Sequence, residues 1–303
     1  MSEARPAVDV VVPFVGSADE MEALCGRLRS LRTREGDSLT IADNGPKSRR
    51  QEPPKGFPVE LVPAGERRTP AFARNAGARR GSAEWIVFFD ADAAPCSDLL
   101  DLYFDPHPAP RTALLGGGVI DEEVPRAAPA VARYGYLRNL MSQERTFGFG
   151  EWGYPKSANV ACRRAAFEAI GGFREDIRAG EDADLTYRLK AAGWGVERRE
   201  SASVVHFNRT TLHGLIEQQL LWGAGGAWLE RTYPGSVPLI ASPAGARWSL
   251  SRAMKALLSA RQDRDAALYA LLRPVEAVAW QTGRLLPNRR PRRRVRVRGG
   301  DRP

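Results

Sequence analysis

The sequence predicts an α/β fold, a mixed but mostly parallel sheet flanked by helices, with a helical C-terminal extension. Three observations predict it. Short β-branched or aromatic runs alternate with helix-like segments through residue 207, the pattern of strand, helix, strand crossovers. Acids follow directly on two of those runs, at Asp43 and Asp90, where the carboxyl ends of parallel strands carry ligands. Beyond residue 211, Leu, Ile and Trp recur among Glu, Gln and Gly at a spacing that suits a helix rather than a strand.

Each element can be taken in order. Residues 8–12 are a β-branched run holding one Asp, closed by Pro13 and followed by a helical segment at 20–31 for which Asp19 is the candidate cap. Residues 38–42 form a second strand ending in the turn Asp43-Asn44-Gly45. A polar loop at 47–56 leads to a short strand at 59–62. A helix then opens at Thr69 or Pro70 and carries Arg74 and Asn75 through to Arg80. The strand at 85–89 runs straight into Asp90-Ala91-Asp92.

A short helix at 98–103 is cut off by Pro106, Pro108 and Pro110. Next come a strand at 114–120, a helix at 127–141, and a loop at 146–154 whose Phe147, Phe149, Trp152 and Tyr154 alternate with glycines. A strand at 157–162 and a helix at 163–170 closed by Gly171-Gly172 precede Gly180-Glu181-Asp182 and a helix at 183–192. Strands at 195–197 and 203–207 complete the main domain, 1–210. The region 211–287 reads as a helical extension, with a helix at 212–231, a Pro/Gly/Ser-rich connection at 234–245 and further helices to Gly283. Residues 288–303 read as a flexible arginine-rich tail.

A net charge of +9 would point to nucleic acid if it were spread over the fold, but eight arginines against one aspartate in 288–303 account for most of it. That tail lacks aromatic interleaving or a recognition helix, so the sequence argues against nucleic acid as a partner. Cys25, Cys96 and Cys162 form no CxxC pair and no metal-ligand spacing, which predicts reduced thiols. The N-terminus lacks a basic start and a long apolar segment, and no uncharged run approaches the length of a membrane span. The expected location is cytoplasmic. An amphipathic pattern at 267–286 next to the arginines leaves open peripheral contact with an anionic inner membrane face, where a lipid-linked acceptor would lie.

Asp90-Ala91-Asp92 is the sharpest chemical feature. Two acids placed directly after a buried strand offer hard oxygen ligands suited to Mg or Mn, and such an ion would offset the charge of a sugar diphosphate. Isolated DxD triplets are common at turns, Asp43 alone reads equally as a turn cap, and Arg74 alone reads as a surface helical cation. Glu181-Asp182 fits a helix start, where negative charge is favoured, as well as it fits proton abstraction from a hydroxyl. His206, at a strand end, fits either a packed histidine or a metal ligand. Trp152, Tyr154 and Trp222 fit either packing or a platform for a sugar ring.

The order of these motifs is more specific than any one of them. The opening run 8–13, Ala42-Asp43-Asn44-Gly45, Ala73-Arg74-Asn75-Ala76-Gly77-Ala78, Val87-Phe88-Phe89-Asp90-Ala91-Asp92, Gly171-Gly172-Phe173 and Glu181-Asp182-Ala183-Asp184-Leu185 together resemble the family 2 glycosyltransferases of GT-A fold, across roughly residues 7–207. The resemblance implies a metal-dependent transfer of sugar from a nucleotide-sugar donor, a UDP-sugar among the candidates, to an acceptor hydroxyl. It implies that Asp43 contacts the base, Arg74 helps fix the nucleotide, Asp90 lies near the ribose and Asp92 touches metal and diphosphate. It selects Asp182 as the base of an inverting displacement and His206 as a further metal ligand. Many relatives carry two acids and a serine where this chain has Asp43-Asn44-Gly45-Pro46, a departure that bears on uracil.

Two alternatives compete with this reading. A sugar-phosphate nucleotidyltransferase would need a glycine-rich basic loop after the first strand, and 12–17 has one glycine and no lysine or arginine. A basic nucleic-acid-binding protein would rest on the tail alone. Gln218-Gln219-Leu220-Leu221-Trp222 only partly matches the QxxRW pattern of processive synthases, because Leu221 stands where the arginine would be.

Overall fold

The computed structural model describes residues 5–237 and 263–289. Strand β1 (Val8–Phe14) is almost continuously apolar because both of its faces are covered. Val10 and Val12 pack with Met21, Leu24 and Leu28 of α1 (Ala18–Leu28), while Val11 packs with Ala71 and Ala78 of α2 (Pro70–Ala78) on the other side. The one acid of that run, Asp9, is buried and satisfied by Arg164 at 2.6 Å and by the Ala83 N–H at 2.8 Å. Ser17, not Asp19, caps α1. Its hydroxyl accepts the Glu20 N–H while the Glu20 carboxylate accepts the Ser17 N–H, which leaves Asp19 in the first turn.

Strands β2 (Ser38–Asp43), β3 (Glu60–Pro63) and β4 (Trp85–Phe89) join β1 in a parallel block. β7 (Asn159–Arg163) then enters antiparallel to β4, and β6 (Thr112–Asp121) antiparallel to β7. β8 (Gly195–His206) lies parallel to β6, and β5 (Ala93–Pro95) closes the edge antiparallel to β8. The order is β3-β2-β1-β4-β7-β6-β8-β5, with four of its seven pairings parallel. The mixed, mostly parallel sheet with helices on both faces is therefore present.

Two strands depart from expectation. β5 has too few residues to carry a periodic signal and exists by pairing with the end of β8. β8 is one strand, not two: its register jumps from Gly117↔Arg199 to Gly118↔Ser203, so residues 200–202 bulge out. Its charged middle is tolerated because Arg199 donates to the Tyr103 and Pro106 carbonyls, each at 3.0 Å. The expected aromatic loop also contains helical turns. α5 (Gln143–Phe147) and a 3-10 turn at Gly150–Trp152 fold Trp152 edge-on against Tyr187, so that ring is used in packing.

The remaining helices are α3 (Leu99–Leu102), α4 (Ala130–Arg138), α6 (Arg164–Ala169), α7 (Glu181–Ala191), α8 (Leu212–Thr232) and α9 (Arg264–Gly283). α4 is shorter than expected, because Asn139 turns left-handed at φ 49°. α9 lies along α8 and against α4, where Arg138 makes two hydrogen bonds to Glu276, at 3.0 and 3.1 Å, and Tyr134 makes another. Most of the expected connection at 234–245, the chain to 262, and residues 290–303 lie outside the described residues. A flexible tail drawn from residue 288 starts too early: Asn288 is 2% exposed and bound to the main domain. Among the described residues no helix is long and apolar enough to cross a membrane, and the three cysteines are free.

Candidate active site

A crevice of about 1760 Å³ among the described residues opens beyond the carboxyl ends of the strands, the place where open α/β sheets bind ligands. Phe14 and Asn44 reach it from the ends of β1 and β2, Asp90 and Asp92 from the end of β4, His206 from the end of β8, and Glu181 and Asp182 from the start of α7. Residues far apart in sequence meet because each stands at the end of a strand or the start of a helix.

The Asp90-Ala91-Asp92 turn is fixed at several points. The Asp90 N–H donates to the Ala158 carbonyl at 3.3 Å, Arg27 donates to the Ala91 carbonyl at 2.7 Å, and the Phe207 N–H donates to the Asp92 carbonyl at 2.9 Å. Arg27 also lies over the Phe207 ring, and burial lowers its pKa. The Asp92 carboxylate faces His206 Nε2 at 3.7 Å and Arg209 at 3.6 Å. Burial raises the Asp92 pKa, and the His206 charge opposes the rise.

His206 Nδ1 points the other way, 3.4 Å from Asp121 Oδ1, and both atoms are buried without a well-directed hydrogen bond. Burial would lower the His206 pKa, but Asp121 and the charge of Asp92 outweigh it and leave it raised. A carboxylate behind an imidazole is the usual support of a metal-bound histidine, so Asp92 and His206, backed by Asp121, fit a divalent cation. Among the described residues no three His, Cys, Asp or Glu side chains converge on a point that could hold a metal. Two protein ligands leave most of the shell for phosphate oxygens and water, which suits Mg or Mn.

Arg74 is buried at the centre of the crevice floor. One Nη donates to Asp90 at 2.6 Å and the other to Glu181 at 3.0 Å, and the Phe173 ring lies 5.6 Å away. Both forks are thus committed to carboxylates, and only Nε lacks a partner. The Asp182 Oδ1 accepts the N–H of Ala183 at 2.8 Å, and burial raises its pKa. Burial and the Asp182 charge push Glu181 up to about 7, against the pull of Arg74.

Asp43 is 4% exposed, and Oδ1 accepts the Gly45 N–H at 2.8 Å in an Asx turn. Its neighbour Asn44 lines the crevice, anchored by its amide to the Ala64 and Arg67 carbonyls.

The family model for glycosyl transferase family 2 matches residues 9–171, more than half of the sequence. The chain belongs to that family. The pre-mycofactocin glycosyltransferase of Mycobacterium tuberculosis is 27% identical over 243 residues, 78% of this chain and 50% of that protein, so the chain spans about half the length of that relative. The succinoglycan biosynthesis protein ExoA of Rhizobium meliloti is 26% identical over 248 residues, 77% of this chain and 75% of ExoA. Among solved structures, a mannosyltransferase from Pyrobaculum calidifontis in complex with GDP-mannose and Mn2+ superposes with a TM-score of 0.62 at 17% identity, over 93% of this chain and 88% of its own. The superposition supports the GT-A-like fold.

Within this family 2 member, the sequence-selected Arg74, Asp90, Asp92, Asp182 and His206 all line one crevice, while Asp43 does not line it and only its neighbour Asn44 does. Sequence reasoning missed Asp121, Arg27, Arg209 and Lys156. Asp121 had a usable signal, an acid at the end of a strand like Asp43 and Asp90. Lys156 had none. Its ammonium donates to the Leu140 and Ser142 carbonyls at 2.9 and 3.2 Å, and burial, with Arg145 nearby, lowers its pKa to about 7. Of the aromatic candidates, Tyr154 and Trp222 line the crevice and Trp152 does not.

Proposed function

We propose that the protein transfers a sugar from a nucleoside diphosphate sugar to an acceptor hydroxyl with inversion, Asp182 acting as base. The observation that carries this reading is the convergence of Asp92 and His206 with Asp182 on one crevice from three separate elements. Asp43 and Arg74 form the nucleotide end, Asp90 the ribose side, and Asp92 with His206 the diphosphate side. A divalent ion bound there, Mg or Mn, would supply charge neutralisation for the departing diphosphate.

The acceptor oxygen forms its bond to the anomeric carbon as that carbon loses its bond to the diphosphate oxygen. Asp182 takes the hydroxyl proton and the nucleoside diphosphate leaves with the bonding electron pair. The buried setting of Asp182 raises its proton affinity, which suits a base working near neutral pH. Arg74 draws Asp90 and Glu181 together and keeps the floor of the crevice fixed through the displacement. Tyr154 and Trp222 offer ring surface to the acceptor.

The test is turnover of a panel of UDP-, GDP- and other nucleotide sugars with Mg or Mn and hydroxyl acceptors. Asp182→Asn is expected to cut transfer about 10²- to 10⁴-fold while donor binding persists. Asp92→Ala is expected to abolish metal-dependent donor binding. Metal-dependent binding of nucleoside triphosphates, with no binding or turnover of any nucleotide sugar, would overturn the proposal.

A further inference from the structure

The loop that presents the acid pair is held by a residue more than a hundred positions later. α7 begins at Gly180, whose φ of 83° needs a glycine and whose missing side chain leaves the helix without a side-chain cap. The residues before it, Arg178 and Ala179, find their partner in Asn288, beyond the end of α9. Asn288 Oδ1 accepts the Ala179 N–H at 3.1 Å and the Arg178 N–H at 3.3 Å, and Nδ2 donates to the Ala179 carbonyl at 2.9 Å. The Asn288 carbonyl also accepts the Arg178 N–H, at 2.9 Å. One residue further on, Arg289 bridges Ile177 in antiparallel fashion and lies 3.5 Å from Asp176.

This clasp uses a property of the amide that few side chains share. A planar amide donates and accepts at once, so it satisfies the N–H and the carbonyl of Ala179 together, as a neighbouring strand would. The site is dry: Asn288 is 2% exposed and Ala179 8%. Gly225 of α8 also approaches so closely that a Cβ there would stand 3.0 Å from Ala179, so α8 and Asn288 both pack on the loop. Two peptide units on from Ala179 is Glu181, and then Asp182.

We propose that Asn288 is a positioning residue for Asp182: it touches neither donor nor acceptor and acts by fixing Arg178 and Ala179, from which Gly180 launches the acid pair. This rests on the reading of Asp182 as the base. It also assigns a task to the end of the C-terminal extension, since Trp280 and Leu285, shortly before Asn288, line the same crevice.

The test uses the full chain with Asn288→Ala, Asn288→Asp, and the triple change R292Q/R293Q/R294Q as a control for tail charge. Each is assayed per folded protein at a temperature below every midpoint. Asn288→Ala is expected to lower kcat about 10- to 100-fold, with the donor KM little changed, and to speed amide exchange at 178–183. Asn288→Asp keeps the accepting oxygen but sets a carboxylate against the Ala179 carbonyl, so it is expected to fall between. The triple variant is expected to match wild type. Asn288 variants with wild-type kcat, or with unchanged exchange at 178–183, would overturn the proposal. A triple variant impaired like Asn288→Ala would overturn it too, by assigning the effect to charge. Full activity of Asp182→Asn would instead remove the base assignment, and the exchange data would still report on the clasp.

Discussion

Arg74 and Asp90 form a 2.6 Å charge-assisted hydrogen bond on the crevice floor, and the same guanidinium holds Glu181 from the other side. The arginine therefore joins the turn after β4 to the start of α7, the two elements that carry the acids assigned to donor and acceptor. Removing it would leave two carboxylates facing each other over a buried gap. Arg74→Ala is expected to destabilise the fold by about 3–5 kcal/mol, the usual cost of stranding a buried ion-pair partner. A urea titration with fluorescence detection measures this, and a midpoint equal to wild type would show that the network is dispensable.

Asp121 does not line the crevice itself but backs it, with Oδ1 3.4 Å from His206 Nδ1 and Oδ2 accepting the Met141 N–H at 3.2 Å. If His206 binds metal through Nε2, Asp121 sets its tautomer and ring orientation. Asp121→Asn is then expected to weaken Mn2+ affinity by about 10- to 100-fold, the range for such supporting carboxylates. Calorimetric titration with Mn2+ and donor nucleotide checks it. Equal affinities would assign the pair a packing role.

The sheet and the acids at the mouth of its crevice were legible because burial writes a strong pattern. β1 and β4 lie between two helical layers, so their sequences are near-continuous apolar runs, and an acid directly after such a run stands out. β5 was not legible, being three residues whose strand character depends on pairing with β8. The two apparent strands near 200 were one, since the buried Arg199 between them is satisfied by Tyr103 and Pro106 carbonyls that no local window contains. Read alone, Arg74 looked like a surface helical cation, because nothing local shows that Asp90 and Glu181 converge on it. Asn288 was hidden in the same way by the run of arginines that follows it, whose composition reads as a solvated tail.

Glu181 carries a pH signature. Its folded-state pKa, pushed up to about 7 by burial and the neighbouring Asp182, lies above that of an ordinary glutamate, so the folded protein binds a proton that the unfolded chain releases. The stability this group contributes is complete below the unfolded pKa of about 4.3 and is lost as pH rises through about 7. Thermal midpoints are therefore expected to fall over that window, and Glu181→Gln, which cannot titrate, is expected to flatten the fall. Calorimetric scans across the window measure it. An unchanged slope in the variant would move the effect to another group.

The space around two helical glycines, Gly223 in the contact between α8 and α9 and Gly26 on α1, predicts opposite outcomes for the same substitution. Gly223 of α8 sits against the backbone of α9: a Cβ there would stand 2.0 Å from the Trp280 carbonyl oxygen and 3.0 Å from the Arg284 nitrogen. Gly283 faces back in the same way, its Cβ position 2.2 Å from the Leu220 carbonyl oxygen. Backbone atoms cannot step aside as a flexible side chain can, so Gly223→Ala must push the helices apart. It is expected to cost about 1–3 kcal/mol, the range for overpacking. Gly26 in α1 is exposed and a Cβ there meets nothing within 4 Å, so Gly26→Ala is expected to stabilise by about 0.4–1 kcal/mol through the helix preference for alanine and a less flexible unfolded chain. Because Trp280 and Gln281 of α9 line the crevice, Gly223→Ala is also expected to raise the acceptor KM, while Gly26→Ala leaves it unchanged. Parallel denaturant titrations and acceptor kinetics on the two variants test both signs, and a stabilised Gly223→Ala would show that the helices have room to part.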